Sequence, residues 1–127
     1  MRLILAVAQK KAAGEMKNIL TQNNHKIEAV CTRTQDVIGY AEVLRPDLVI
    51  MDIDLPGKFT TNEITKHFNT VFDLPVVYLI SNTVGDRLNE ALEINPYGLI
   101  TDPEDRRQLN YTLELVYNKF EESLRLL

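Results

Sequence analysis

The chain has 127 residues, of which 45% are apolar and 25% are charged, and its net charge is −4. This length suggests one domain with a buried core, and the composition is that of a soluble globular protein. A nucleic-acid partner requires a basic face, and the acidic balance gives no reason to expect one. No apolar run reaches the roughly 20 residues of a membrane span. The single Cys31 excludes an internal disulfide and fits a reducing cytoplasm.

Five short apolar runs predict β-strands, and segments of helical period lie between and after them. The runs are Leu3–Ala8, Ile27–Cys31, Leu48–Ile53, Pro75–Ile80 and Gly98–Ile100. The helical segments lie around 11–23, 35–44, 60–70 and 84–94, and from 104 onward. This alternation predicts βαβ units, and uninterrupted apolar strands indicate a sheet covered by helices on both faces. We therefore expect a flavodoxin-like, doubly wound α/β domain with five parallel strands in the order 2-1-3-4-5.

The last predicted helix has an apolar stripe with spacings of three and four residues. Its members are Leu109, Leu113, Val116, Phe120, Leu124 and Leu127. We expect residues 1–117 to form the domain and 118–127 to extend the helix towards a dimer seam or a following domain. The alternative is an amphipathic helix that folds back to complete the core. The chain is then either an excised module of a larger sensor protein or a complete small protein.

Residues 45–57, RPDLVIMDIDLPG, place two acids, Asp52 and Asp54, at the end of the third strand. The ends of strands one, four and five bring the pairs Ala8-Gln9, Ser81-Asn82 and Thr101-Asp102 to the same edge of the sheet. Ligands of doubly wound folds bind at that edge. An acid at a strand end can also simply cap the next turn, so position alone leaves both readings of Asp52 open.

Three segments of the chain resemble receiver domains of two-component response regulators. RPDLVIMDIDLPG is similar to the phosphoacceptor strand, which implies that Asp52 is the phosphorylatable aspartate. LPVVYLISN is similar to the fourth strand, which implies that Ser81 is the switch residue. NPYGLITDP resembles the fifth-strand motif Tyr-Leu-x-Lys-Pro. The PYG turn and the helical tail resemble receivers attached to archaeal sensor histidine kinases, so the parent protein would be such a kinase, while this domain would not itself be an enzyme.

The chain departs from the receiver pattern at the positions that carry the phosphorylation chemistry. Ala8 and Gln9 replace the two acids that bind Mg²⁺ together with the phosphoacceptor. Asp102 replaces the lysine that steadies the phosphoryl group, and Leu99 replaces the aromatic switch residue. The usual Asp-Gly pair at the start of the third helix becomes Thr60-Thr61. Because Mg²⁺ prefers carboxylates, the departures leave at most a weak metal site at Asp52 and Asp54.

Electrostatics predicts the consequence for phosphorylation. An acyl phosphate on Asp52 would carry nearly two negative charges, and Asp102 would oppose it. Two unit charges about 4 Å apart interact by about 4 kcal/mol at an effective dielectric near 20. We therefore predict an atypical receiver-like phosphorelay module that is not phosphorylated and needs no cofactor.

This module would act by protein–protein contact, with a histidine kinase or output domain as partner, and would dimerise through its last helices. The alternative is a functional phosphoacceptor, phosphorylated on Asp52 by a histidine kinase with Mg²⁺. A third reading is a structural domain that kept only the fold. Phosphorylation with a small phosphodonor would separate the first two readings.

Two hypotheses concern what occupies the altered pocket. Lys10 follows the lost acid pair, so it could form an ion pair with Asp52 or Asp102 that holds one conformation without phosphate. The alternative is that Lys10 and Lys11 begin a solvated helix face. Asp52, Asp54 and Asp102 could instead hold a divalent cation, although three protein carboxylates make a weak site.

The other polar residues that could act in catalysis do not form a recognisable catalytic motif. Ser81-Asn82 could supply a nucleophile, but no histidine motif accompanies it. His25 and His67 are expected to be ordinary surface or half-buried residues.

Overall fold

The computed structural model describes residues 1–80 and 98–126. Five parallel strands form one sheet in the order β2-β1-β3-β4-β5, which confirms the predicted doubly wound fold. The strands are β1 Arg2–Ala6, β2 Lys26–Cys31, β3 Leu48–Asp52, β4 Val76–Leu79 and β5 Gly98–Ile100. Nearly all residues of β1, β3 and β4 are buried, because these strands have neighbours on both sides and helices on both faces.

The helices cover the two faces of the sheet in two layers. They are α1 Lys10–Gln22, α2 Thr34–Leu44, α3 Thr61–His67 with a π-helical turn Phe68–Phe72, and α4 Arg106–Arg125. Alternate strand residues face alternate layers: Ile4, Val49 and Tyr78 belong to the core under α2 and α3. Leu5, Ile50 and Leu79 belong to the core under α1 and α4. None of the described helices is long and apolar enough to cross a membrane, and the predicted helix at 84–94 lies outside the described residues.

The start of α3 is held by a reciprocal cap. Thr60 Oγ1 accepts the Glu63 N–H at 3.2 Å, and the Glu63 carboxylate accepts the Thr60 N–H at 3.3 Å. This is the capping box that the pattern Thr-x-x-Glu encodes. Thr61, the next residue, donates its hydroxyl to the Ile53 carbonyl at 3.0 Å. The two threonines therefore tie the helix to the loop that follows β3.

The same loop is also bound to the start of α2. The Thr34 N–H donates to the Pro56 carbonyl at 3.0 Å, and Thr34 Oγ1 donates to the Phe59 carbonyl at 2.8 Å and accepts its N–H at 3.1 Å. Gly57 lies between these contacts with φ +149°, a conformation that favours glycine. The loop after β3 is thus held at both ends by fully or largely buried threonines.

Helix α4 uses most of the predicted apolar stripe inside its own domain. Leu109, Leu113, Val116 and Phe120 are all buried, and Leu124 is half-buried. The helix runs without interruption across residues 117 and 118, so the boundary proposed there stays a prediction. The large apolar side chains that this helix exposes are Tyr111 and Leu115.

The two histidines have different surroundings. His25 is only 7% exposed, so the prediction that it is a surface or half-buried residue is wrong. Its Nε2 donates to Asn110 Oδ1 at 2.8 Å, which joins the turn after α1 to α4 and compensates for burial of the ring. His67 is half-buried, as predicted, with its ring 4.9 Å from that of Phe72.

Helix α4 packs closely on β5 at Gly98, which leaves little room for a side chain there. A Cβ on Gly98 would lie 2.7 Å from Val116 Cγ2. We expect Gly98→Ala to lower the free energy of unfolding by about 1–2 kcal/mol, because the Val116 side chain or its helix must shift. Urea unfolding of Gly98→Ala, Val116→Ala and the double variant measures this. The double variant should lose less than the sum of the two single losses, and strict additivity would contradict the close contact.

Candidate functional site

Asp52 stands at the carboxyl end of β3, at the base of a narrow cleft of about 140 Å³. The cleft runs between α1 and the segment that leads from β5 into α4. The Asp52 carboxylate accepts hydrogen bonds from the backbone N–H groups of Ala8 and Asp54. The structure therefore joins the ends of β1 and β3 at this carboxylate, as the fold predicts. Ser81, the predicted switch residue, lies outside the described residues.

The surroundings of Asp52 disfavour its charge. Burial raises the pKa of its carboxyl above the ordinary value of 3.8, and the nearby Asp54 carboxylate raises this pKa further. The two backbone hydrogen bonds act in the opposite direction without cancelling the rise. The carboxyl is thus less readily ionised than that of an exposed aspartate.

The shift predicts a pH dependence for Asp52→Asn. Between pH 3.8 and the raised pKa of the folded state, Asp52 is ionised in the unfolded chain but still largely protonated in the folded chain. The free energy of unfolding of the natural chain therefore falls as pH rises through this range. The amide has no such loss. The free energy of unfolding of the variant should therefore exceed that of the natural chain by up to about 1 kcal/mol at pH 7, and by less at pH 3. The gain is small because solvent still reaches the carboxyl.

Urea unfolding at the two pH values measures this difference. Glu122→Gln, at an exposed position of α4, is the matched control and should show no comparable change. An Asp52→Asn effect of equal size at both pH values would contradict the raised pKa.

The cleft has apolar walls and acidic side chains. Its lining residues besides Asp52 are Val7, Gln9, Ala12, Glu15, Met16, Ile19, Leu79, Pro103 and Glu104. None of the described lining residues is basic. Sequence reasoning missed Glu15 and Glu104. The positions 12, 15, 16 and 19 share one face of α1, so the helical period could have indicated Glu15 once the orientation of that face was known.

Asp102 is part of a turn, separate from the residues that line the Asp52 cleft. Its side chain is exposed, and Oδ1 accepts the Glu104 N–H at 3.2 Å. Its carbonyl accepts the Asp105 N–H at 3.3 Å. Asp105 then caps α4 by accepting the Gln108 N–H at 3.1 Å. Asp102 therefore shapes the entry into the helix, which is the structural role of an acid in a turn.

Lys10 points to a different side of α1 from the Asp52 cleft. It is exposed and lines a shallow depression with Gly14, Lys17 and Thr32. Among the described residues the ion pairs are Arg2–Glu28 at 2.8 Å and Lys26–Glu28 at 3.6 Å. The predicted ion pair of Lys10 with Asp52 or Asp102 is therefore not present in the described part of the chain, because burial of the opposite face of α1 turns Lys10 towards solvent.

The residues at this edge do not fit the magnesium site of the receiver pattern. Ala8 contributes only a backbone N–H, and Gln9 brings a neutral amide to the cleft. Asp54 lines a separate depression with Thr60 and other residues of its own loop. No group of three acidic, histidine or cysteine side chains within residues 1–80 and 98–126 could hold a metal ion. The three-acid cation site is thus not assembled in this structure.

A second polar cluster, which sequence reasoning missed, lies beneath the loop after β3. Tyr78 is fully buried, and its hydroxyl lies 2.6 Å from Thr65 Oγ1. Thr65 in turn donates to the Thr61 carbonyl at 2.9 Å. Together with the Thr61–Ile53 bond, these contacts connect the residue next to Asp52 with the middle of β4. The signal in the sequence was a tyrosine within an apolar strand, whose hydroxyl must find a partner when buried.

Several solved structures share this fold at low sequence identity. The signal receiver domain of a modulated diguanylate cyclase from Desulfovibrio desulfuricans G20 is 20% identical, with a TM-score of 0.86, and the match covers 96% of this chain and 97% of that one. A DNA-binding response regulator of the LuxR family from Staphylococcus aureus is 19% identical, with a TM-score of 0.81 and coverages of 91% and 98%. The response regulator domain of Thermotoga maritima CheB is 22% identical, with a TM-score of 0.74 and coverages of 95% and 96%.

No family model matches the chain, and no curated protein matches it. The likeness is therefore one of architecture: the chain has the fold of response-regulator receiver domains. A fold of this kind does not by itself establish an activity. The resemblance to receivers attached to archaeal sensor kinases stays a prediction.

Proposed function

We propose that this chain is an atypical receiver module, which transmits a signal by protein–protein contact without phosphorylation of Asp52. The observation that supports the proposal most directly is the acidic cleft around that residue. Asp52 shares its cleft with Glu15 and Glu104, and burial already disfavours a single negative charge there. A phosphoryl group would add charge where the described lining residues offer no cation.

The hydrogen bonds of the loop after β3 support a module with one maintained conformation. A phosphorylation switch requires that this region has two arrangements of similar free energy. Here Thr34 binds the loop through Pro56 and Phe59, and Thr61 binds it through Ile53. These contacts would take over the stabilising role that the sequence suggested for an ion pair of Lys10.

A phosphodonor experiment tests the proposal. The chain is incubated with acetyl phosphate and Mg²⁺, and separately with beryllofluoride and Mg²⁺, and followed by intact mass and by amide NMR spectra. We expect no phosphoryl adduct and no spectral change near Asp52. An adduct that Asp52→Asn abolishes would overturn the proposal and establish the alternative, a phosphoacceptor that a histidine kinase can use.

The proposed partners are proteins: a histidine kinase or an output domain. The module itself would have no enzymatic activity and would work in the cytoplasm, attached to a sensor protein or alone. The likeness to receiver domains supports protein partners.

We also propose a homodimer through the last helices, with Tyr111 and Leu115 as its contacts. These are 67% and 39% exposed, respectively, whereas the stripe from Leu109 to Phe120 is buried within the domain. Sedimentation of Leu115→Asp against Glu114→Gln, its neighbour on the exposed side, tests this contact. Loss of a dimer in Leu115→Asp alone would support it, and equal behaviour of both variants would contradict it.

A further inference from the structure

A groove lies at the opposite edge of the sheet from Asp52, at the amino ends of β3 and β4. Its volume is about 410 Å³. One wall is the end of α2 with the residues that lead to β3, and the other is the π-helical turn with the residues that lead to β4. The lining residues are Ala41, Glu42, Arg45, Pro46, Val71, Phe72, Asp73 and Leu74. We call this surface the α2–α3 groove.

The groove presents opposite charges that do not neutralise each other. Glu42 and Arg45 stand on the α2 wall, and Asp73 stands on the facing wall. All three are exposed, and none takes part in an ion pair with another described residue. A surface that carries an unpaired cation and unpaired anions side by side is complementary to a copy of itself, since each charge can meet its opposite across a two-fold axis.

The shape of the groove is also self-complementary. Val71 is 61% exposed at the rim, while Ala41 and Leu74 are buried beneath it. The ring of Phe72 stacks on Phe68 at 5.6 Å, which fixes the base of the π-helical turn that carries Val71. An apolar knob therefore stands directly beside an apolar hole. Two copies related by a two-fold axis could each place Val71 in the groove of the other.

The backbone on both walls is held in a conformation that non-glycine residues rarely adopt. Arg45 ends α2 with φ 46°, and Asp73 ends the π-helical turn with φ 49°. Glycine is the usual residue at such helix ends because it has no Cβ to clash. Asn24, in the turn after α1, has the same conformation with φ 67°, so it is a feature that this chain also uses at a helix end outside the groove. Here the two strained residues supply the opposite charges of the groove.

We propose that the α2–α3 groove is a self-association surface, which a second copy of this chain occupies by two-fold symmetry. Arg45 pairs with Asp73 of the second copy, and Val71 packs against the apolar floor. The contact uses neither Asp52 nor the exposed face of α4. Its success or failure therefore does not depend on the phosphorylation state or on the proposed contact through the last helices.

Two substitutions remove the charges without straining the fold. Arg45→Gly and Asp73→Asn both suit a left-handed backbone, and the Arg45 carbonyl keeps its bond from the Arg2 guanidinium. Sedimentation velocity from about 5 to 500 μM measures self-association of the full chain with Leu115→Asp as the background, which removes the proposed contact through the last helices. We expect each variant to raise the dissociation constant at least tenfold while its urea midpoint stays the same or rises. That combination separates a lost contact from a lost fold.

A charge exchange tests the pairing itself. Arg45→Asp and Asp73→Arg should each weaken association, and the double variant should restore it to within about threefold of the natural chain, because the pair is re-formed in reverse.

Three results would overturn the proposal. The first is a chain that remains monomeric throughout the concentration range. The second is unchanged association in Arg45→Gly or Asp73→Asn. The third is a double charge exchange that associates no better than its single variants.

Discussion

Replacing Gly57 by alanine should lower the free energy of unfolding by about 3 kcal/mol or more, for two reasons that add. With φ +149°, Gly57 has a backbone conformation that an L side chain rarely adopts. A Cβ there would also overlap the Thr34 hydroxyl and lie 2.6 Å from the Thr34 backbone nitrogen. Because one obstacle is backbone, a rotamer change of Thr34 cannot relieve it. The loop would have to leave α2, with loss of the Thr34 bonds to Pro56 and Phe59.

Urea unfolding measures the loss, and the chain provides a matched control for it. Gly39 lies inside α2, and a Cβ there would meet nothing within 4 Å. Gly39→Ala should therefore stabilise the protein by about 0.5–1 kcal/mol, since alanine is the better helix former. If Gly57→Ala were also neutral or stabilising, the close attachment of the loop to α2 would be contradicted.

Restoring the receiver-pattern residues around Asp52 should raise its reactivity with acetyl phosphate by about 100-fold or more. The variant is Ala8→Asp, Gln9→Asp and Asp102→Lys in one chain. Position 8 already contacts the Asp52 carboxylate through its N–H, and position 9 lines the cleft. Acids at these positions would supply the ligands that Mg²⁺ prefers, and the lysine would replace a negative by a positive charge. Intact mass against time gives the rate of phosphoryl uptake.

The same triple variant with Asp52→Asn is the control for the site of modification, and circular dichroism checks that both fold. We expect no uptake in the control. Equal rates in the natural chain and the triple variant would mean that Ala8, Gln9 and Asp102 do not limit phosphorylation. That result would contradict the electrostatic basis of the proposed function.

The start of α3 shows how far local patterns reach. Compared with the receiver pattern, Thr60-Thr61 first looks like the loss of an Asp-Gly pair. The structure shows a capping box between Thr60 and Glu63 and a hydrogen bond from Thr61 to Ile53. The box involves residues three apart and was readable from the sequence. The bond to Ile53 depends on how α3 sits against β3, so only the folded chain could reveal it.

The burial of His25 and of the apolar stripe of α4 could not be read from local sequence patterns. His25 follows a polar turn, but its ring is buried and hydrogen-bonded to Asn110, which lies 85 residues away along the chain. The stripe of α4 predicts one apolar face correctly, but periodicity cannot say whether the sheet or a second chain covers that face. The burial of Leu109, Leu113 and Val116 on the sheet answers the question for this part of the helix.

By itself, the sequence determined the five-stranded parallel architecture and the place of Asp52 at the end of its third strand. The architecture and the position of Asp52 both follow from uninterrupted apolar runs that alternate with segments of helical period. These patterns involve residues that are close together in the sequence. Only the tertiary structure decided which side chains share the cleft with that carboxyl. Packing against the sheet orients α1 so that Glu15 faces the cleft and Lys10 faces away, and the N–H of Glu104 draws the Asp102 carboxylate into its own turn.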